Sequence, residues 1–215
     1  MKSVLCFGDS NTWGYDPDAS FGAPFPRRHP PHVRWTGVLA AELGPEWRVI
    51  EEGQNGRTTV HDDPFGVARN GRDYLPACLE SQQPLDVVVL MLGTNDLKAV
   101  HSLPAGEIAT GAGVLARLIL QSTAGPRNTA PKLLVVGPPA ADPFTHLPDL
   151  AEKFAGAEAK AQRFPVLYRA LANQLGAAFL DAQAHTTPSP IDGLHLDATS
   201  HTTLGQAIAA AVRQL

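Results

Sequence analysis

The chain has 215 residues, of which 44% are hydrophobic and 18% charged, the balance of one folded domain with a full core and not of a disordered or fibrous chain. Its formal charge of −4 arises from scattered residues, and no basic tract suited to a phosphate backbone appears, which removes nucleic acid from the expected partners. No apolar stretch approaches membrane-spanning length, and the first is broken by Gly8 and Asp9 too early for a signal peptide; a cytoplasmic protein with no membrane partner is expected.

Val4–Phe7 is the first predicted strand, and it runs into Gly8, Asp9, Ser10 and Asn11. Such residues are ordinary turn formers, because Gly tolerates unusual dihedrals and Asp, Ser and Asn bond back to their own backbone. They also stand where a parallel strand would deliver Ser10 to the ligand-binding edge of a sheet. A long connection from Asp16 to Pro31 carries five prolines and no clear period. A helix is predicted over Val33–Leu43 and a second strand over Trp47–Glu51, followed by a polar segment, Arg57 to Asp73, rich in Gly and Asp. A helix over Tyr74–Ser81 then leads to a third strand, Val87–Leu92.

Beyond it lie a helix over Ile108–Leu120, a surface turn set by Gly125 and Pro126, and a fourth strand, Leu133–Gly137. The proline-containing loop Ala140–Pro148 precedes a long helical segment, Leu150 to Leu175, which Pro165 should kink or divide. The fifth strand is Ala178–Asp181, and a helix from about Ser200 to Arg213 closes the chain. Near-continuous apolar strands that alternate with helices predict a three-layer α/β/α sandwich around a parallel five-stranded sheet. Nothing marks a second domain, so residues 1–215 are read as one.

Polar clusters follow several strands: Asp9-Ser10-Asn11, then EEGQNGRTT, then Gly93-Thr94-Asn95-Asp96, and finally Asp192 and His195 in IDGLHL. Converging on one sheet edge they supply a hydroxyl, a glycine N–H, an amide, a carboxylate and an imidazole, the parts of a serine esterase. Each part alone is weak: Asp-x-x-His is as common in a surface turn, and Asn95, Asp96 and Gly56 could simply end strands or make turns. Their joint order carries the signal. Cys6 and Cys78 read as buried free thiols without metal-site or disulfide neighbours. The eight histidines form no HExxH constellation, and no Gly-rich phosphate loop suggests a nucleotide; neither metal nor cofactor is expected.

With these residues in place, the chain resembles the SGNH, or GDSL-like, hydrolase superfamily, whose fold is flavodoxin-like, over nearly its whole length. GDSN at 8–11 resembles the first block, departing at Asn11 where the name-giving motif has Leu; Gly56 stands at the oxyanion glycine of the second; Gly93–Asp96 and Asp192–His195 match the third and last. The resemblance implies Ser10 as nucleophile, His195 as general base and Asp192 as its orienting acid. It also implies an oxyanion hole from the N–H groups of Ser10 and Gly56 and the amide of Asn95. The second block has Asn55 where Ser is usual and Glu51 where Asn is frequent, so hydrogen bonds supporting the hole are expected to differ.

FGDSNTWG, Arg34-Trp35-Thr36-Gly37, Arg57-Thr58-Thr59 with Asp62-Asp63-Pro64, and Leu92-Gly-Thr-Asn-Asp are similar to bacterial arylesterases that also transfer acyl groups. That similarity implies a small-molecule ester substrate with a short acyl group and a homo-oligomer, a dimer or larger up to an octamer. The loop Tyr15–Trp35 is the segment suited to closing over a neighbouring copy. Trp13 either anchors the first loop or, with Trp35 or Phe144 helping, narrows an acyl pocket so that only short acids fit. Asp96 is read as a backbone cap beyond the third strand, and Lys98 as a solvated charge. A carbohydrate acetylesterase using the same triad is the alternative within the enzyme class. A non-catalytic α/β binding module is the rival outside it, and the joint presence of Ser10, Asn95, Asp192 and His195 argues against it.

Overall fold

The computed structural model describes residues 1–142, 144 and 146–215. Five parallel strands form one sheet: β1 (Lys2–Gly8), β2 (Trp47–Gly53), β3 (Val87–Met91), β4 (Lys132–Gly137) and β5 (Ala178–Asp181), in spatial order β2-β1-β3-β4-β5. Each lies on its predicted position, with no end moved by more than two residues. Strand side chains alternate between faces, and both faces are apolar here. Val4, Cys6, Val87, Val89 and Met91 enter one buried cluster, whereas Leu5, Phe7, Val88 and Leu90 enter the other. That double burial is why β1, β3 and β4 read as near-continuous apolar runs, whereas the edge strand β2, WRVIEEG, does not.

The helices are α1 (Ser10–Trp13), α2 (Pro17–Ser20), α3 (Trp35–Leu43), α4 (Gly71–Gln82), α5 (Ala105–Gln121), α6 (Pro148–Lys153), α7 (Ala157–Ala161), α8 (Phe164–Leu175) and α9 (Ala198–Arg213). Helices α3 and α9 cover the first face with Trp35, Leu39, Leu204 and Ile208. Helices α4, α5 and α8 cover the second with Leu75, Ile108, Leu115 and Phe164. The three-layer α/β/α architecture follows. Among the described residues, no helix is long and apolar enough to cross a membrane.

The helical segment that Pro165 was expected to kink or divide is three helices, with the breaks lying before Pro165. Gly156, at φ +77°, separates α6 from α7, and Pro165 occupies the first turn of α8, where its missing N–H breaks no helical bond. The loop expected over 140–148 includes positions 143 and 145, which lie outside the described residues.

Chain order reverses across β1: β2 pairs on one side and β3 on the other. Such a switch point leaves a crevice at the strand carboxyl ends, where β1 leads into Ser10 and β3 into Asn95. Two glycines let the chain turn sharply here. A Cβ at Gly8 would lie 2.0 Å from Thr12 Oγ1 and 2.9 Å from the Met91 carbonyl, and one at Gly53 would lie 2.1 Å from the Trp13 nitrogen. With both side chains absent, α1 settles directly on the sheet edge.

Candidate active site

Ser10 opens the one-turn helix α1. Asp9 caps it, its carboxylate accepting the Asn11 N–H at 3.0 Å, and Gly14 at φ +85° ends it. The turn expected after the first strand is thus wound into a short helix that presents Ser10 at its first position. Burial pushes the Asp9 carboxyl up to about 6, against the Asn11 N–H and the charges of His195 and Arg57.

Ser10 Oγ lies 2.9 Å from His195 Nε2, and His195 Nδ1 lies 2.6 Å from Asp192 Oδ2. The other Asp192 oxygen accepts the N–H groups of Leu194 at 3.0 Å and His195 at 2.9 Å. Burial pushes Asp192 upward, but the His195 hydrogen bond and charge and these backbone donors outweigh it, holding the carboxyl below its ordinary value. A carboxylate, an imidazole and a hydroxyl in series can move a proton from oxygen to nitrogen while the imidazolium stays paired. The Asp-x-x-His spacing works because the turn folds the carboxylate back onto its own backbone.

Gly56 and Asn95 stand at the same sheet edge, at the ends of the strands flanking β1. Asn95 Nδ2 donates to the Arg57 carbonyl at 3.1 Å, which leaves the second hydrogen of that amide for another acceptor. Gly56 adopts φ +79°, and no acceptor is paired with its N–H or that of Ser10 among the described residues. Arg57, 3% exposed, locks the second loop to the first: its guanidinium donates to the Gly8 carbonyl at 2.9 Å and to the Glu52 carbonyl, and lies over Phe7.

Both departures in the second block have visible consequences. Glu51 accepts from Arg28 at 3.1 Å, from Arg34 at 3.0 Å and from Thr36, so it ties the proline-rich loop to β2. Asn55 Oδ1 is buried with no partner among the described residues.

The three pocket candidates fare differently. Trp13 is half-buried with Arg28 over its ring, and Arg28 donates to its carbonyl. Trp35 is fully buried in the core. It begins α3 with its side chain toward the sheet and α9, so it offers a substrate no surface, and its expected place in an acyl pocket is corrected. Phe144 is also buried, packing on Phe154 and under Gly193, whose Cβ would meet it at 3.2 Å; it backs the Asp192–His195 turn.

Tyr15 was not among the expected site residues, yet its ring stacks on His195 with centroids 3.9 Å apart and planes at 21°. The available signal was an aromatic two residues beyond Trp13. Asp96, fully buried, accepts the Thr59 N–H at 2.9 Å and its hydroxyl at 2.6 Å, and so caps the second loop and not the chain beyond β3. Lys98 is not a solvated charge. Its ammonium is buried against Asp63.

The sequence matches the GDSL-like Lipase/Acylhydrolase family over residues 6–203. The structure is similar to a carbohydrate acetylesterase of Sinorhizobium meliloti, at 42% identity and TM-score 0.94, covering 100% of this chain and 99% of that one. It is similar to the aryl esterase of M. smegmatis at 43% identity and TM-score 0.94, with 100% of both chains covered. A further carbohydrate acetylesterase family member from S. meliloti matches at 38% identity and TM-score 0.91, covering 100% and 98%. No curated protein matches the chain. Motif order, sheet topology and full-length likeness agree: the chain belongs to the GDSL-like lipase/acylhydrolase family and is a carboxylic-ester hydrolase.

Proposed function

We propose that the chain hydrolyses short-chain acyl esters, acetyl esters foremost, through an acyl-Ser10 intermediate. The observation that carries this reading is the series Ser10 Oγ, His195 Nε2 and Asp192, joined at 2.9 and 2.6 Å. Ser10 Oγ attacks the ester carbonyl while His195 Nε2 takes its proton, and Asp192 steadies the imidazolium. The tetrahedral oxyanion faces the N–H groups of Ser10 and Gly56 and the free hydrogen of the Asn95 amide, donors fixed before the charge develops. Collapse breaks the alkoxy bond. The leaving alcohol takes the proton from His195, and acyl-Ser10 remains. Water, or a second alcohol, then attacks with His195 again as base, which releases acid or a new ester and restores Ser10.

The related proteins act on different alcohols, one being named for aryl esters and another for acetylated carbohydrates. A cavity of about 790 Å³ opens beside Gly56, with Asp63, Arg69, Lys98, Glu152 and Lys153 among its walls. Its walls also carry the apolar side chains of Phe65 and Val100, so the cavity does not choose between the two alcohols, and the likeness to carbohydrate acetylesterases supports deacetylation of a carbohydrate as the second reading.

The test is hydrolysis of p-nitrophenyl esters from acetate to octanoate, beside acetate release from an acetylated sugar, with Ser10→Ala run in parallel. A steep preference for acetate that disappears in Ser10→Ala is expected. Equal rates in the variant would sink the nucleophile assignment. A longer acyl preference would sink the acetyl one.

A further inference from the structure

The residue after Ser10 is Asn11, where the name-giving motif of the family has Leu, and the mechanism proposed above makes no use of it. Asn11 is 1% exposed. A buried carboxamide without partners is costly, so where its two ends go is informative. Its Oδ1 accepts the Leu196 N–H at 3.1 Å, and its Nδ2 faces the Leu194 carbonyl at 3.5 Å, the weaker contact. These two peptide groups stand on either side of His195. The chemistry of the partners fixes which way the amide points, since an N–H needs the oxygen and a carbonyl needs the nitrogen.

We infer that Asn11 is a positioning residue whose side chain clamps the backbone on both sides of His195 and so holds the imidazole on Ser10.

The remaining contacts of that turn explain why such a clamp matters. Within the turn, the Ser189 N–H donates to the His195 carbonyl at 2.7 Å and the Gly193 N–H to the Ser189 carbonyl at 2.7 Å. Asp192 binds the Leu194 and His195 N–H groups. All of these close the turn on itself and leave its distance from α1 undetermined. Three outside contacts reach it from elsewhere: the Asp142 N–H donates to the Gly193 carbonyl at 2.9 Å, His146 Nε2 lies 3.1 Å from the Ile191 carbonyl, and His29 Nε2 lies 3.4 Å from the Leu196 carbonyl. Besides the Ser10–His195 contact itself, the Asn11 amide joins the turn to the nucleophile's own helix, one peptide from Ser10. Its main chain is in turn tied to Asp9, so the clamp is anchored at both ends. Leu has neither an acceptor nor a donor, so a Leu side chain at this position could hold neither peptide group.

A shift of about 1 Å at a reacting pair is enough to slow catalysis roughly 100-fold. Asn11→Leu and Asn11→Ala are therefore expected to lower kcat for p-nitrophenyl acetate by about 10- to 100-fold while KM changes less than about threefold. The reaction of Ser10 with an organophosphonate should slow in parallel, because it needs the same Ser10–His195 pair and no substrate-binding pocket. Parental kcat in folded Asn11→Leu would overturn the inference, and so would a loss confined to KM. The role rests on Ser10 and His195 being nucleophile and base, so Ser10→Ala and His195→Ala are run alongside. If these two keep activity, the site reading fails and the role falls with it. If they are dead while Asn11→Leu is unimpaired, the clamp alone is refuted. A measurement on the parent protein needs no variant to fold: the Leu196 amide should exchange with solvent at least about 100-fold more slowly than a free peptide, and free-peptide exchange would refute the clamp.

Discussion

His201 gives a pH dependence of stability that can be isolated by one substitution. Its ring lies in α9, fully buried, with Nδ1 accepting the Trp35 N–H at 3.2 Å and its edge toward His29 at 5.1 Å. Burial first, and then the charges of His29, His195 and Arg34, lower its pKa from 6.5 to about 3. Between these values the unfolded chain holds a proton on this residue and the folded chain does not, so acid favours unfolding. Going from pH 7 to pH 5 should remove about 2 kcal/mol of stability through His201 alone, or roughly 4–8 °C in Tm for a chain of this size. Asp9 works in the opposite sense. Its folded pKa of about 6 stands above the ordinary 3.8, so the same acidification adds about 1 kcal/mol through it. Because Asp9 is common to both proteins, comparing the parent with His201→Asn removes its contribution. Asn can still accept the Trp35 N–H while carrying no titrating group. Urea unfolding at pH 5, 6 and 7 is the assay, and the difference in stability between the two proteins should shift by about 2 kcal/mol across that range. Parallel pH dependences would show that His201 does not change protonation on unfolding, and would refute the reasoning.

Asn95→Ala removes one proposed oxyanion donor and should lower kcat about 100- to 1000-fold; a change below tenfold in single-turnover release of p-nitrophenol would remove Asn95 from the hole. Tyr15→Leu takes away the stack on His195, an interaction worth about 0.5–1.5 kcal/mol, so kcat/KM should fall roughly two- to tenfold with Tyr15→Phe near parental, and equal rates in both would mark the contact as passive. Phe65 and Val67 are 88% and 90% exposed on the second loop, an apolar pair better suited to a covered surface. Light scattering should report an oligomer that Phe65→Ser with Val67→Ser converts to a smaller species, and a monomeric parent would refute this.

The fold was legible because buried parallel strands leave an unmistakable pattern. Val87–Met91 has no polar residue to interrupt it, and each strand is followed by a Gly or polar break. Subdivision of the 148–175 segment was less legible, since Gly156 acts through a backbone dihedral that composition does not reveal. Ser10, Asn95, Asp192 and His195 could be read because each sits on a short motif at a strand end or a tight turn. Residues whose partners are remote could not be read in the same way. Trp35 is separated from His201 by 166 positions, and which face of α3 it occupies is decided by α9 packing there. Lys98 looked solvated because its partner, Asp63, returns from a loop 35 positions earlier. Tyr15 lies in a stretch without periodicity, and only the fold of the 15–35 loop turns its ring onto His195.

Two carboxylates adjoin Ser10, the proposed nucleophile, and their surroundings push their acidities apart. Asp192 accepts from the His195 ring and from two backbone N–H groups, so burial is outweighed and it is held ionised. Asp9 is buried as well, and the one backbone N–H it accepts, with the charges of His195 and Arg57, does not offset that burial, so it rises to about 6. Pairs of titratable groups separated in this way are characteristic of assigned acid–base roles. In the proposed mechanism the imidazolium needs a permanent counter-charge, and only Asp192 can supply one that survives mild acid. Asp9 instead caps α1 and fixes where Ser10 stands. If Asp9 were the stronger acid and Asp192 the weaker, the imidazolium would lose its partner as pH fell below about 6. The asymmetry runs the productive way because the Asp-x-x-His turn wraps its own backbone donors around Asp192, whereas the strand end gives Asp9 almost none.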